Sequence, residues 1–285
     1  MRRIIAAIGM SLLLSACGLN AEETASKAEE AVDTESAEKT EAPEESDTPQ
    51  ENEEEPGDEQ EETSNKKEVE TEDKLYEVNK NDSSLDALKE GMDEQKVLIT
   101  IDDAPDAHSV EMAEFLSKQS IPAIFFVNGH FLQSEEGRKD LKKIADMGFE
   151  IGNHTMNHVD VSELSRQELE EEIGELNDMI EKITGEPPSF FRAPFGINSD
   201  ASKAFLEEEE MTWMNWTYGY DWEAEYQNAE DLADIMVHTE LLRSGANLLM
   251  HDREWTKEAL PDIVDGFKEK GYGFIDPDHI VQNNH

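Results

Sequence analysis

Between Val97 and Ile275 short β-rich apolar runs alternate with helical stretches, and no other property of the chain restricts its fold as tightly. Val97-Leu98-Ile99-Thr100-Ile101 and Ile121 to Val127 read as buried strands, and Phe149-Glu150-Ile151 and Phe190-Phe191 as short ones. Thr212 to Trp216, Asn247 to Met250 and Tyr272 to Ile275 complete the set. Between them helices are predicted over 109–118, 137–146, Arg166 to Thr184, 200–209, 230–243 and 256–270, the third opened by Ser165 as its cap. A strand followed each time by a helix returns parallel to its neighbour. The expected fold class is therefore α/β, parallel β/α units closed or partly closed into a barrel, with the chemistry at the C-terminal ends of the strands. The roughly 190 residues from Val97 onward suit one domain with a sizeable core, and no internal repeat divides them.

Two of those strand ends carry groups able to hold a metal. After Ile151 comes Gly152-Asn153-His154-Thr155-Met156-Asn157-His158. On a helical turn, imidazoles four residues apart share a face and can point at one cation, about 2.0–2.1 Å from each nitrogen for zinc. Thr155 stands where the zinc-protease His-Glu-x-x-His carries its general base, so that chemistry is disfavoured and the base must come from elsewhere. The first strand ends in Asp102-Asp103-Ala104-Pro105, and adjacent carboxylates raise each other's pKa unless a cation neutralises them. Because consecutive side chains diverge, one Asp can ligate an ion while its neighbour faces a substrate as a base. An Asp-His-His set leaves positions open for water and substrate, as a catalytic zinc requires. A solvated turn and two surface imidazoles account for the same residues.

The N-terminus is of a different kind. Arg2-Arg3 and the apolar run from Ile4 to Ala16 read as a signal peptide over residues 1–16, too short to span a bilayer as an anchor helix. Small residues lead into Cys17, the only cysteine, in a way that resembles a bacterial lipobox; the resemblance implies cleavage before Cys17 and lipidation of the new N-terminus. From Glu22 to Asp73 there are 23 acidic residues against 4 Lys, a net of −19 with almost no large apolar residue. Such a segment cannot bury enough surface to offset the entropy of ordering, so residues 17–74 are expected to form a disordered acidic tether ahead of a domain over 75–285. A tail that binds a basic partner is the alternative use of the same charge. Setting aside this −19 and the +2 of Arg2 and Arg3 leaves −28 of the total −45 on residues 74–285. Nucleic-acid binding needs clustered Lys and Arg, and no nucleic-acid partner is expected.

Five short segments together are more specific. Thr100-Ile101-Asp102-Asp103, His154-Thr155-x-x-His158, Arg192-Ala193-Pro194-Phe195, Asp221-Trp222 and Leu249-Met250-His251 resemble, in order, the motifs of the polysaccharide deacetylases, the NodB-homology carbohydrate esterases of family 4. The resemblance implies a distorted or partly closed (β/α) barrel and hydrolysis of N-acetyl groups on amino sugars. It implies Asp102 as general base, Asp103, His154 and His158 as ligands of a divalent ion, Zn2+ before Co2+ or Ni2+, and His251 as general acid oriented by Asp221. Arg192 would position and tune the base, and a backbone N–H at Phe195 would face the oxyanion. Trp222 and Leu249 would wall a pocket for the acetyl methyl, a role compatible with plain core packing. Two residues depart from the pattern: Ala104 stands where the family usually has Gly, and Tyr218 where it often has an additional Asp. Anchor and tether together lead to the expectation of a lipoprotein on the extracellular face of a bacterial membrane, acting on an N-acetylated polysaccharide, peptidoglycan first. Poly-N-acetylglucosamine or chitooligosaccharide are the alternatives, with a non-catalytic carbohydrate-binding lipoprotein as the reading from another class.

Overall fold

The computed structural model describes residues 74–89 and 95–282. The signal segment 1–16, Cys17 and the acidic stretch up to residue 73 lie outside the described residues. An antiparallel hairpin, β1 (Tyr76–Val78) and β2 (Leu85–Ala87), comes first and had no counterpart among the predicted strands. Parallel strands and helices then alternate: β3 (Lys96–Ala104), α1 (Ser109–Lys118), β4 (Ile124–Val127), α2 (Glu135–Asp146) and β5 (Glu150–Asn153). They continue with a helical stretch α3 over 166–184, β6 (Phe190–Phe191), α4 (Asp200–Glu208), β7 (Thr212–Trp213), α5 (Ala229–His238), β8 (Ala246–His251), α6 (Glu254–Glu269) and β9 (Gly273–Phe274).

The strands lie in the order β7-β6-β5-β4-β3-β8, with β9 also on β3, and every pairing in this sheet is parallel. The two ends of the order curl toward each other. Past β7, the Thr217 N–H donates to Asn247 O at 2.8 Å and the Leu249 N–H to Tyr218 O at 2.9 Å, so a short bridge to β8 stands where a full ladder would close the ring. The result is a partly closed (β/α) barrel, as the alternation of strands and helices predicts.

Strand alternation sorts the side chains between the two faces. On β3, Val97, Ile99 and Ile101 pack outward with Met112, Leu116, Leu260 and Ile263 of the helices, while Leu98 joins Ile124, Phe126, Phe190 and Met214 inside the barrel. The same period runs along β8, where Ala246, Leu248 and Met250 belong to the outer layer. The alternate residues, Asn247, Leu249 and His251, are left to the inside. Tyr76 and Leu85 of the hairpin and Ile280 join the interior cluster.

Several predicted elements are shorter or broken: β4 starts only at Ile124 and β9 keeps only Gly273 and Phe274, and three further cases have a local cause. The stretch α3 is interrupted by a π turn over Glu170–Gly174 between Arg166–Leu169 and Glu175–Thr184, although Ser165 caps it with Glu168 as expected. Helix α5 stops at His238 because Thr239 takes an extended conformation and turns its hydroxyl to the Tyr220 hydroxyl and the Leu241 N–H. The run predicted as a strand from Thr212 to Trp216 pairs only over its first two residues, since from Asn215 the backbone turns to serve Ser83 and Arg192 instead.

Candidate active site

Asp102 and Asp103 lie near the C-terminal end of β3, but they do not diverge as a regular strand would have them. The register with β4 slips between Ile101 and Ala104, and Asp103 takes φ 61, so both carboxylates line one cleft. Asp102 faces inward on the same side as Leu98 and Thr100, and is buried. Its Oδ1 accepts Arg192 Nη1–H at 2.7 Å. Arg192 is itself fully buried, with its guanidinium carbon 4.3 Å from the Phe126 ring centroid. It donates further to Thr100 Oγ1 at 2.6 Å, Asn215 O at 2.8 Å and Asn247 Oδ1 at 3.2 Å. Burial pulls the Arg192 pKa down and the Asp102 charge opposes that pull.

The two histidines sit in a loop after β5, which corrects the helical turn expected from their spacing. Thr155 (φ 68) and His158 (φ 55) both adopt left-handed conformations, and these reversals bring the rings together, 5.1 Å between centroids. The His154 Nδ1–H donates to Arg192 O at 2.6 Å, which fixes the tautomer and leaves Nε2 as the lone-pair nitrogen facing the cleft. Asn128 and Asn153 brace the loop: Asn128 Nδ2–H donates to His154 O at 2.6 Å, and Asn153 Oδ1 accepts the Thr155 N–H at 2.8 Å. The π turn of α3 grips it from below. Glu172 O accepts the Met156 N–H at 2.8 Å, and the Glu172 carboxylate accepts both the backbone and the side-chain amide of Asn157 at 2.9 and 2.8 Å.

These positions bring one donor atom each from Asp103, His154 and His158 within 4.8 Å of one another. His158 Nε2 lies 3.7 Å from Asp103 Oδ1, and His154 Nε2 lies 3.6 Å from Asp102 Oδ2. Two imidazole nitrogens and one carboxylate oxygen, with one imidazole already oriented by a carbonyl, fit a divalent first-row ion that keeps an open coordination position. Burial pulls His154 down toward the neutral, ligating form. Burial also pushes Asp103 up, but the charges of His251, His154, Arg253 and His158 outweigh it and hold the carboxyl below its usual range.

Across the sheet, Asp102 and His251 are register partners on β3 and β8. The His251 ring donates from Nδ1 to Asp221 Oδ1 at 2.8 Å, so the other ring nitrogen is the one free to meet a substrate. Asp221 is buried and fixed by further donors: the His251 N–H at 2.6 Å and Thr256 Oγ1–H at 2.8 Å on its Oδ2, with Trp255 Nε1–H on its carbonyl at 2.8 Å. Burial pulls the His251 pKa down, but the hydrogen bond and charge of Asp221, with Asp102 and Asp103 behind it, win and raise it.

The cleft holding these groups has a volume of ≈ 580 Å³ and includes Asp102, Asp103, His154, His158, Asp221 and His251 among its walls. Phe195, 62 % exposed, and Trp222, 44 % exposed, stand on its rim, and Leu249 and Trp216 lie deeper. The chain matches the model of the polysaccharide deacetylases over residues 89–231. It belongs to the polysaccharide deacetylase family. It is 30% identical over 199 residues, 67% of this chain and 91% of that protein, to a peptidoglycan-N-acetylglucosamine deacetylase of Bacillus cereus. With the uncharacterized protein YlxY of Bacillus subtilis it shares 32% identity over 163 residues, 57% of this chain and 49% of the relative, so it spans about half of that protein. Among solved structures, a CE4 family pseudoenzyme from Bacillus anthracis superposes with a TM-score of 0.59 at 27% identity, covering 68% of this chain and 69% of that one.

Both departures from the deacetylase pattern have a structural account. Ala104 needs no glycine-like freedom, because the positive φ falls on Asp103 and Ala104 pairs with Val127 in the sheet. Tyr218 is buried with its hydroxyl on Met236 O at 2.9 Å, and is absent from the cleft wall. Asp252 and Arg253, which directly follow His251, are not among the residues the sequence motifs single out. Asp252 is buried and accepts the N–H groups of Asp106, His108 and Ser109 at 3.0, 2.7 and 2.7 Å, which sets the loop between β3 and α1. Arg253 donates to Asp103 Oδ2 at 2.7 Å and lines the cleft. An acid and a base adjoining the last motif were the available signal.

Proposed function

We propose that this protein is an exported, lipid-anchored hydrolase that uses a divalent ion, Zn2+ before Co2+ or Ni2+, to remove N-acetyl groups from the amino sugars of an extracellular polysaccharide, peptidoglycan first. The observation that carries the reading is the meeting, in one cleft, of an Asp-His-His donor set with a buried carboxylate held by Arg192 on one side and an imidazole held by Asp221 on the other. When bound, the ion supplies Lewis acidity for the acetamide carbonyl and lowers the pKa of a water. Asp102, ion-paired and desolvated, takes the proton of the attacking water. His251 gives a proton to the departing nitrogen, and its raised pKa favours the charged form that step needs. The Phe195 backbone, at φ 60 in the turn after Arg192, offers its N–H to the developing oxyanion.

The fold alone does not guarantee turnover, since a pseudoenzyme shares it. Here the base, the acid and both of their partners are present and hydrogen-bonded, which favours catalysis over a purely carbohydrate-binding lipoprotein. Arg2-Arg3, the apolar run and Cys17 support the anchor, and a wall polymer is the polysaccharide that surrounds such an anchor. The relative that names peptidoglycan supports the same substrate. The test is acetate release by the purified protein from peptidoglycan, poly-N-acetylglucosamine and chitin oligomers, with and without chelator, alongside Asp102→Asn. Chelation is expected to stop the reaction, and Asp102→Asn to keep its metal while losing roughly 10²- to 10⁴-fold in rate; near-normal turnover by the variant refutes the assignment.

A further inference from the structure

The hairpin β1-β2 lies outside the matched family segment, yet it reaches the back of the site. Ser83, in its turn, is 5 % exposed and adopts φ 57, a left-handed conformation that glycine takes more easily than any residue with a Cβ. Its hydroxyl has a specific partner: Ser83 Oγ accepts the backbone N–H of Asn215 at 3.1 Å. The carbonyl of the same Asn215 accepts Arg192 Nη2–H at 2.8 Å, and Arg192 Nη1–H reaches Asp102 at 2.7 Å. The Asn215 side chain donates to Gly196 O at 2.9 Å, in the turn that carries Phe195. The hairpin is fixed independently of this path, by the Leu85 N–H on Gly245 O at 2.7 Å, an Arg243–Asp82 ion pair at 2.6 Å, and Tyr76 and Leu85 in the barrel interior.

We propose that Ser83 is a positioning residue for the hydrolysis: acting through Asn215, it holds Arg192 against Asp102 and steadies the turn of Phe195. The segment that leads into the barrel is thereby part of the catalytic scaffold. A side chain kept where the backbone favours glycine, with its one polar atom spent on Asn215, is the mark of a local preference overridden by a tertiary demand. The inference rests on the hydrolase reading, which makes Asp102 the base.

The experiment uses the full chain with Ser83→Gly, which removes the hydroxyl while easing the backbone, and Ser83→Ala as a second variant. The expected result is a kcat lowered roughly three- to tenfold, the span of one lost neutral hydrogen bond, with KM within about twofold of wild type and metal content unchanged by elemental analysis. The Gly variant is expected to melt within a few degrees of wild type, so that the loss is not one of folded protein. In an Arg192→Lys background the further effect of Ser83→Gly is expected to shrink, because the branch through Arg192 is already cut and only the branch through Gly196 remains. Wild-type kcat in both variants, or an undiminished effect in the Lys background, overturns the proposal. A wild-type protein that releases no acetate from any N-acetylated polymer overturns the hydrolase reading and this proposal together.

Discussion

Replacing Arg192 by Met tests the electrostatic logic at the centre of the barrel. The side chain is fully buried and is the only hydrogen-bond donor to the Asp102 carboxylate among the described residues. Its other acceptors are less exposed to loss: Thr100 Oγ1 still donates to Leu248 O at 2.6 Å, and Asn215 O still accepts Asn247 Nδ2–H at 3.1 Å. What remains is Asn247 Oδ1 without its donor and a buried carboxylate without its ion-pair partner, at the wall of the cleft with His154 Nε2 3.6 Å away, a change that costs about 3–5 kcal/mol. For a domain of this size that corresponds to a fall in Tm of about 6–20 °C. Thermal unfolding followed by circular dichroism, in chelator so that metal binding does not contribute, measures it. The decisive comparison is Asp102→Asn/Arg192→Met, which removes the charge with its partner and is expected to recover most of the lost stability. A double variant no more stable than Arg192→Met alone would mean that packing, not the orphaned charge, sets the cost, and the reasoning fails.

Asp221→Asn removes the hydrogen bond and charge that raise His251 and leaves burial, which lowers it; the alkaline limb of kcat/KM is expected to move to lower pH, with a loss of about 10²-fold or more near pH 8. An unmoved limb in a rate-against-pH series counts against His251 as the acid. Glu172→Ala is expected to weaken metal affinity about tenfold in a chelator-competition titration, because the loop between His154 and His158 loses its two bonds through Asn157. Glu150, on the opposite end of β5, is pushed up to about 7 by burial and by the charges of Asp278 and Glu186. For an acid with a raised folded pKa the folded state binds the extra proton, so its contribution to stability is present at low pH and is lost as pH rises from about 4.5 to about 7. Glu150→Gln is expected to flatten that part of the Tm-against-pH curve, and a curve of unchanged slope contradicts the assignment.

What the chain order made legible was whatever depends on period and type. The alternation of Leu98, Thr100 and Asp102 against Val97, Ile99 and Ile101 follows from strand geometry alone, and it already places the base inside. The same holds for Asn247, Leu249 and His251 on β8, whose register with β3 then sets acid against base. The hairpin was missed because Tyr76–Val78 and Leu85–Ala87 are three residues each, too short for a periodic signal, and earn their place only by packing into the open end of the barrel. The π turn escaped for a related reason: Glu170–Gly174 keeps helical composition, and only the loop it must grip reveals the extra residue.

The histidine pair shows how a correct site can be reached through a wrong local structure. Spacing by four suggested a helical face, but a helix there would have carried the chain away from Asp103. The observed loop instead reverses at Thr155 and again at His158, and the sheet fixes where it begins, since β5 pairs with β4 up to Asn153. Each reversal is disfavoured for a residue with a Cβ and persists only because Asn128, Asn153 and Glu172 bond the intervening backbone. Asn128 follows β4, Asn153 ends β5 and Glu172 lies in the π turn of α3, so the geometry that aims the rings is a property of the assembled barrel. Asn153, the residue directly before His154, joins the most of these pieces. Its side chain ties Thr155 to α3, through Ile173 O of the π turn at 3.0 Å and Asn177 Oδ1 beyond it at 2.7 Å, so the loop, the helix beneath it and the strand before it are held by one amide.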